Sequence, residues 1–361
     1  MAKSTKKDCD SAKNMGKDKE FCRYMSFRVD TDVIERRTGV KDYYRKRAVI
    51  YGLGYEYRKQ ESFIKSEFDV VGYSDRNEYD IPLYVRPADL GGLSFDYIYV
   101  TSRKLFAEIK KNILSLLRGK VSENQIISFD DVWGDFKHIR DEWIRTKLEK
   151  IEDGKILLDA GAGEQKYAPF CSHLKYIAQD FGKYDPAECK KGVSEELKWD
   201  TSKVNIVCDI IDMPLEDRSV DVVLCTEVFE HLKDPVLAVR EISRILKPGG
   251  ELILTAPFCS LTHMAPYYFA NGFSEFWYKE HLEACGFEIR ELTPDGNYFK
   301  YMAQELFRTV EMSEKYCRFS LDHEQVGTLS KAVKIMSGLS SMDSASAETL
   351  CFGYMIEAYK R

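Results

Sequence analysis

No stretch of this sequence reaches the roughly 18 consecutive apolar residues that cross a bilayer as a helix. Its first residues, Met-Ala-Lys-Ser-Thr-Lys-Lys, lack the apolar core of a secretory signal. Basic residues are in the minority: 53 Lys and Arg stand against 59 Asp and Glu, a net charge of −6. That is the wrong sign for a general nucleic-acid binder, which carries a basic footprint. The 10 cysteines form no C-x-x-C pair and no regular framework. Cys208 and Cys225 fall inside strand-like runs and read as reduced, buried thiols. These absences leave a globular protein expected in the cytoplasm.

What is present points to two α/β units. At 361 residues, with 44% hydrophobic and 13% aromatic residues, the chain can fill two cores. Residues 1–20 interleave lysines with Asp8, Asp10, Asp18 and Glu20 and predict a solvated arm; 21–47 are mixed and in part helical, so 1–47 is set apart. From Ala48 a strand–helix alternation begins: strand Val49–Tyr51, helix Glu56–Phe68, strand Asp69–Tyr73, strand Asp96–Val100, helix Leu105–Leu117, strand Gln125–Ser128. It predicts a small parallel sheet over 48–130. This stretch resembles the nucleotide-binding-like Rossmann modules attached to bacterial surface-glycan enzymes. Its turn, Gly52-Leu-Gly54, has Tyr57 where a dinucleotide turn keeps a third glycine, and a tyrosine there crowds a pyrophosphate. Docking of substrate or of a partner chain, a second copy included, is therefore favoured over a nucleotide. Residues 131–154, with Trp133, Phe136, Ile139, Trp143, Ile144 and Leu148 at helical spacing, predict one amphipathic helix leading into a unit over 131–361.

That unit is organised around Lys155-Ile-Leu-Leu-Asp-Ala-Gly-Ala-Gly163. Ile156–Asp159 predict a buried strand. Gly161 and Gly163 predict a turn whose bare backbone lets N–H groups approach a ligand, with a helix after it. Strand Tyr176–Asp180 ends in a carboxylate 21 residues beyond Asp159, placed to accept from both hydroxyls of a ribose. Strand Asn205–Asp209 ends in another. Val220–Cys225 runs into Thr226-Glu-Val-Phe-Glu-His231; a helix Val236–Leu246, Lys247-Pro-Gly-Gly250 and strand Glu251–Ala256 follow. A polar-aromatic loop, helix Glu275–Cys285, strand Phe287–Glu291, helices across 300–340 and strand Leu350–Ala358 complete the pattern. The Ser/Ala/Asp-rich segment 337–348 reads as a mobile linker.

In this order, Asp159-Ala-Gly-Ala-Gly163, Asp180, Cys208-Asp209 with Met213-Pro214, Glu227-Val-Phe-Glu-His231 and Leu246-Lys-Pro-Gly-Gly250 resemble the class I S-adenosylmethionine (SAM) methyltransferases. The resemblance covers roughly residues 135–361. It implies a Rossmann-like α/β fold, a parallel sheet with an antiparallel last strand. It implies SAM as cofactor: the methionine end at Asp159, Gly161 and Gly163 with Glu227 nearby, the ribose at Asp180, the adenine at Asp209 and Ile210. Gln165 stands where the first turn often has a third glycine, which weighs against a dinucleotide more than against SAM.

Glu227, Glu230 and His231 share a face at i, i+3 and i+4. The turn resembles the metal-binding turn of small-RNA 2′-O-methyltransferases and ubiquinone-pathway O-methyltransferases, where such a set suits Mg²⁺ or Mn²⁺. It equally resembles metal-free members, and the favoured reading has no metal. His263, in Thr262-His-Met-Ala-Pro-Tyr267, resembles a loop of bacterial methyltransferases linked to glycan genes. A histidine over the acceptor can take a hydroxyl proton. His263 is the first candidate, ahead of His231, whose neighbouring carboxylates should raise its pKa; Glu230 completes the catalytic set. Tyr267, Tyr268, Phe273 and Trp277 are candidates for a sugar-stacking wall.

Two readings stay open. In one, the chain methylates a small acceptor, a hydroxyl of a sugar, nucleotide-sugar or glycan intermediate. In the other, it is a non-catalytic scaffold of this fold in a glycan-modifying complex. The intact glycines and aspartates favour the first. Because its strands all lie downstream, the second unit is expected to fold without residues 1–130.

Overall fold

The computed structural model describes residues 43–136, 138–184, 192 and 202–361. Nearly all of the expected arm, 1–47, lies outside these residues. β1 (Lys46–Tyr51), β2 (Phe68–Ser74), β3 (Tyr97–Val100) and β4 (Ile126–Ser128) form a parallel sheet in the order β2-β1-β3-β4. Alternation along the strands splits the apolar residues between two faces. Val49, Ile98 and Val100 pack with Ile113 and Leu117 of α2 (Phe106–Leu117). Ala48, Ile50 and Tyr99 pack with Phe63 and Ile64 of α1 (Tyr55–Glu67).

The single helix expected over 131–154 is two, α3 (Phe129–Trp133) and α4 (Arg140–Leu148). The break is Gly134, at φ +84°, where a Cβ would meet Ser337 at 2.5 Å. Glycine alone holds both the backbone angle and the close approach. The expected boundary at 130/131 thus falls inside α3.

The larger sheet has seven strands: β5 (Ile156–Ala160), β6 (Lys175–Asp180), β7 (Ile206–Val207), β8 (Val220–Thr226), β9 (Leu246–Pro257), β10 (Phe287–Asp295) and β11 (Gly353–Lys360). Their order is β10-β11-β9-β8-β5-β6-β7, with β11 antiparallel to both neighbours and β5 to β9 parallel. This is the expected class I arrangement. From β5 the chain winds outward to β6 and β7, then returns to β8 on the other side. That reversal opens a crevice at the carboxyl ends of β5 and β8, the place where open α/β sheets bind ligands. α5 (Pro235–Ile245) and α6 (Glu275–Ala284) cover one face, burying Ala238, Val239, Ile242 and Leu282 against Val223, Leu252 and Leu254. The helix expected after Gly163 is only a 3-10 turn, Ala168–Phe170. Gln165 at φ +58° and Pro169, which disfavours helix at Ala168, prevent a longer one.

Two helices that follow β10 turn away from this sheet. α7 (Tyr298–Met312) and α8 (His323–Ser341) cover the α1 face of the upstream sheet, where Ala303, Val326 and Val333 join Phe63, Tyr99 and Trp133 in one core. Phe63 and Phe307 stack at 4.0 Å between centroids. Trp133 Nε1 donates to Ser330 Oγ at 2.8 Å, Ser330 donates to Glu67 at 3.1 Å, and Lys334 pairs with the same carboxylate. The segment expected as a mobile linker begins inside α8: Ser337 Oγ donates to the Trp133 carbonyl at 2.5 Å. Its small residues serve close packing. The two units therefore share a core, which bears on the expectation that the second folds alone. Among the described residues no helix is long and apolar enough to cross a membrane.

Candidate functional site

The crevice holds a cavity of ≈ 310 Å³, lined among others by Gly161, Asp180, Phe181, Asp209, Ile210, Glu227, His231, Met264, Tyr267 and Phe269. The turn after β5 forms its floor. Gly161 and Ala162 both donate their N–H to the Gln179 carbonyl at 2.8 Å, and Gly161 at φ +77° lies so close to Val228 that a Cβ would stand 2.4 Å away. Asp180, 4% exposed at the tip of β6, accepts from Gly163 N–H at 3.0 Å and from Gly182 N–H at 2.8 Å. Asp209 is exposed at the rim and Ile210 is buried beside it. Asp180, Gly161, Asp209, Ile210 and Glu227 are thus brought to one cavity. Asp159 and Gly163 stand behind it. Asp159, 2% exposed, accepts from the Tyr176 hydroxyl at 2.5 Å. Burial, aided by the nearby Asp180 charge and opposed by the Tyr176 bond, pushes its pKa to about 7.

Glu227 takes a left-handed backbone at φ +55°, uncommon outside glycine. Its carboxylate is engaged: Thr255 Oγ1 donates at 3.0 Å and Arg140 Nη1 lies 2.6 Å away. Arg140 comes from α4, which sequence reasoning read as packing only; no motif marks it. Phe181 was also missed, although it directly follows the acid at the tip of β6. Its ring meets Tyr267 edge-on at 5.0 Å.

Past Glu227 a 3-10 turn, Phe229–His231, presents Glu230 and His231. The loop after β9 folds over them: Phe269 N–H and Ala270 N–H donate to the Glu230 carbonyl at 2.8 and 3.2 Å, and the His263 ring meets His231 edge-on at 4.7 Å. His231 lines the cavity, whereas His263 stands behind it. His231 Nδ1 is 2.6 Å from the Tyr267 carbonyl and His263 Nδ1 is 2.8 Å from the Leu261 carbonyl. A carbonyl only accepts, so in both rings Nδ1 carries the proton and Nε2 offers its lone pair. Burial lowers the His231 pKa to about 4, with His263 pushing the same way; the expected upward effect of the carboxylates is overruled by desolvation. Glu230, 1% exposed, is pushed well above the ordinary carboxyl range by burial. Of the aromatic candidates, Tyr267 faces the cavity; Tyr268 hydrogen-bonds Ser260, and Phe273 and Trp277 pack into the sheet core.

Residues 158–254 match the family model of a methyltransferase domain, and residues 44–127 match a family described as C2185-like, N-terminal. The chain is 43% identical over 182 residues to an uncharacterized 37.1 kDa transposon protein of Streptomyces fradiae, covering 48% of this chain and 52% of that one. It is 32% identical over 120 residues to a probable SAM-dependent methyltransferase of Mycolicibacterium smegmatis, 33% of this chain and 44% of that one. It is 25% identical over 114 residues to probable tRNA methyltransferase 9B of Homo sapiens, 31% and 23%. The chain thus spans between 23% and 52% of the length of these relatives. Among solved structures, the YcgJ protein of Bacillus subtilis aligns over 62% of this chain and 98% of its own, at 15% identity and a TM-score of 0.36. The strand order is that of the class I methyltransferase fold, and residues 158–254 of the downstream unit match the family model of a methyltransferase domain.

Proposed function

We propose that this chain transfers a methyl group from SAM to a hydroxyl of a small acceptor, of the sugar, nucleotide-sugar or glycan-intermediate class. The observation that carries the proposal is that one cavity of ≈ 310 Å³ joins Gly161, Asp180, Asp209 and Ile210 to His231, Met264, Tyr267 and Phe269. The first group fits SAM. Glycine at 161 leaves backbone where a side chain would collide, and Asp180 offers a buried carboxylate for ribose hydroxyls. Asp209 and Ile210 provide a polar edge and an apolar side for a purine. Bound there, SAM supplies an electrophilic methyl on its sulfonium.

The second group suits an acceptor. Tyr267 and Phe269 offer flat apolar faces of the kind that pack on a sugar ring. A hydroxyl must lose its proton as it attacks, and general-base help is typically worth 10²–10⁴-fold. His231 reaches the cavity directly, with Glu230 and His263 packed behind it, and places this cluster where it can assist that proton's departure. Arg140 and Thr255 fix Glu227 at the cofactor side.

The test pairs SAM calorimetry with methyl transfer from labelled SAM to a panel of nucleotide sugars and glycosides. SAM binding with transfer to one member supports the proposal. Failure to bind SAM overturns it, and binding without transfer to any hydroxyl acceptor favours the scaffold.

A further inference from the structure

Glu230 Oε1 lies 3.7 Å from His231 Nε2 and 3.9 Å from His263 Nε2. Neither distance is a hydrogen bond. Glu230 Oε2 is buried and finds no hydrogen-bond partner among the described residues. The two imidazoles are turned so that carbonyls of Tyr267 and Leu261 hold their Nδ1 protons. Two imidazole Nε2 atoms and a carboxyl oxygen thus converge on one point with no hydrogen bond joining them, and the second carboxyl oxygen is buried without a partner among the described residues.

We propose that Glu230, His231 and His263 form a binding site for a divalent first-row transition ion such as zinc. All three donor atoms lie within 4.8 Å of one another. Around a tetrahedral zinc, with bonds of roughly 2.0–2.2 Å, ligand atoms stand about 3.4 Å apart, so a small contraction closes the set. His263, on a loop and with a side chain 26% exposed, is free to supply it. The Nδ1–H to carbonyl bonds are the outer-shell contacts that orient metal-bound histidines. Two imidazoles and one carboxylate favour zinc, iron, cobalt or manganese over Mg²⁺ or Ca²⁺, which prefer all-oxygen ligands. The set differs from the Glu227, Glu230 and His231 trio suggested by spacing: Glu227 is held by Arg140 and Thr255, and His263 takes its place. Because His231 lines the cavity, the ion's open side would face the acceptor space; with both Nε2 lone pairs on the ion, it would replace the free imidazoles as the group that eases loss of a hydroxyl's proton, which then passes to water. Only this last consequence rests on the methyl-transfer reading.

The test uses the full chain, stripped with chelator and titrated with Zn²⁺ by calorimetry and with Co²⁺ by visible absorption. One equivalent should bind, give cobalt d–d bands, and resist displacement by excess Mg²⁺. Changing even an outer-shell partner costs 10–100-fold in metal affinity, so loss of a ligand in His263→Gln should weaken zinc by about 100-fold or more. His263→Gln is the primary variant because its loop position spares the core; Glu230→Gln, checked for folding by circular dichroism, should behave alike. Absence of stoichiometric zinc binding, or zinc affinity unchanged in His263→Gln, overturns the proposal. SAM affinity, measured on the same samples, reports separately on methyl transfer.

Discussion

Asp159 gives the most direct test of the electrostatics under the cavity. Its carboxyl is 2% exposed and its pKa stands at about 7, against 3.8 ordinarily. The sign follows from proton counting. Above about pH 4 the unfolded chain releases this proton, while the folded chain keeps it until about pH 7. The unfolded state binds fewer protons over that window, so this group makes stability fall as pH rises from about 4 to 7, and flat beyond. Three units at about 1.4 kcal/mol each set the loss on the order of 4 kcal/mol at most. Asp159→Asn keeps an acceptor for the Tyr176 hydroxyl and removes the ionisation. Urea unfolding of both proteins at about pH 4, 6 and 8 reads the difference. The variant should match wild type at the acid end and exceed it by several kcal/mol at the alkaline end. Parallel pH profiles for the two proteins would refute the argument and assign Asp159 a normal carboxyl.

Asp180→Ala removes a buried acceptor worth about 1.5–3 kcal/mol per charged hydrogen bond, so SAM affinity by calorimetry should drop at least tenfold; unchanged affinity would withdraw the ribose role. Arg140→Met leaves Glu227 with Thr255 alone and should lower stability by roughly 1–3 kcal/mol, and a double-mutant cycle with Glu227→Gln should recover most of that as coupling; additive losses would show that the 2.6 Å pair carries no energy. Deleting residues 1–130 should expose Ala303, Phe307, Val326 and Val333 and give a chain that aggregates or melts without cooperativity in scanning calorimetry. A monodisperse fragment that binds SAM would instead show that α7 and α8 need no cover.

Strand identity and order in the downstream sheet were legible because each strand is an apolar run closed by a turn signal. Asp180, Asp209 and Gly161 were legible because their spacing follows the strand ends. Tertiary approach was not. Nothing local says that His263, 32 residues beyond His231, returns to within ring contact, or that Arg140 reaches across to Glu227. The helix break at Gly134 depends on Ser337, two hundred residues away in sequence. The segment 337–348 looked like a linker because it is rich in serine, alanine and aspartate, which bury little apolar area, although in α8 the small Ser337 is what lets the backbone sit against Trp133.

The same long-range contacts say how the upstream unit meets the cavity. Trp133, anchored in the shared core, ends α3; six residues later Asp295 receives the chain, its carboxylate 2.7 Å from His138 Nδ1 and accepting Ile139 N–H at 2.8 Å. Asp295 is 3% exposed and closes β10, from which α7 departs back to the upstream core. The next residue after Ile139 is Arg140, whose guanidinium holds Glu227 at the cavity. Of the three covalent routes between the units, through 134–140, 295–298 and 342–352, the first two pass the same buried carboxylate, and the third meets its backbone where Phe352 N–H donates to the Asp295 carbonyl at 2.8 Å. Asp295 thus lies on the contact path that runs from α3 through Ile139 and Arg140 to Glu227. On this architecture packing and hydrogen bonds join the upstream core to the Glu227 side of the cavity, and a ligand docked upstream would alter the cavity only by its differential affinity for two placements of α3.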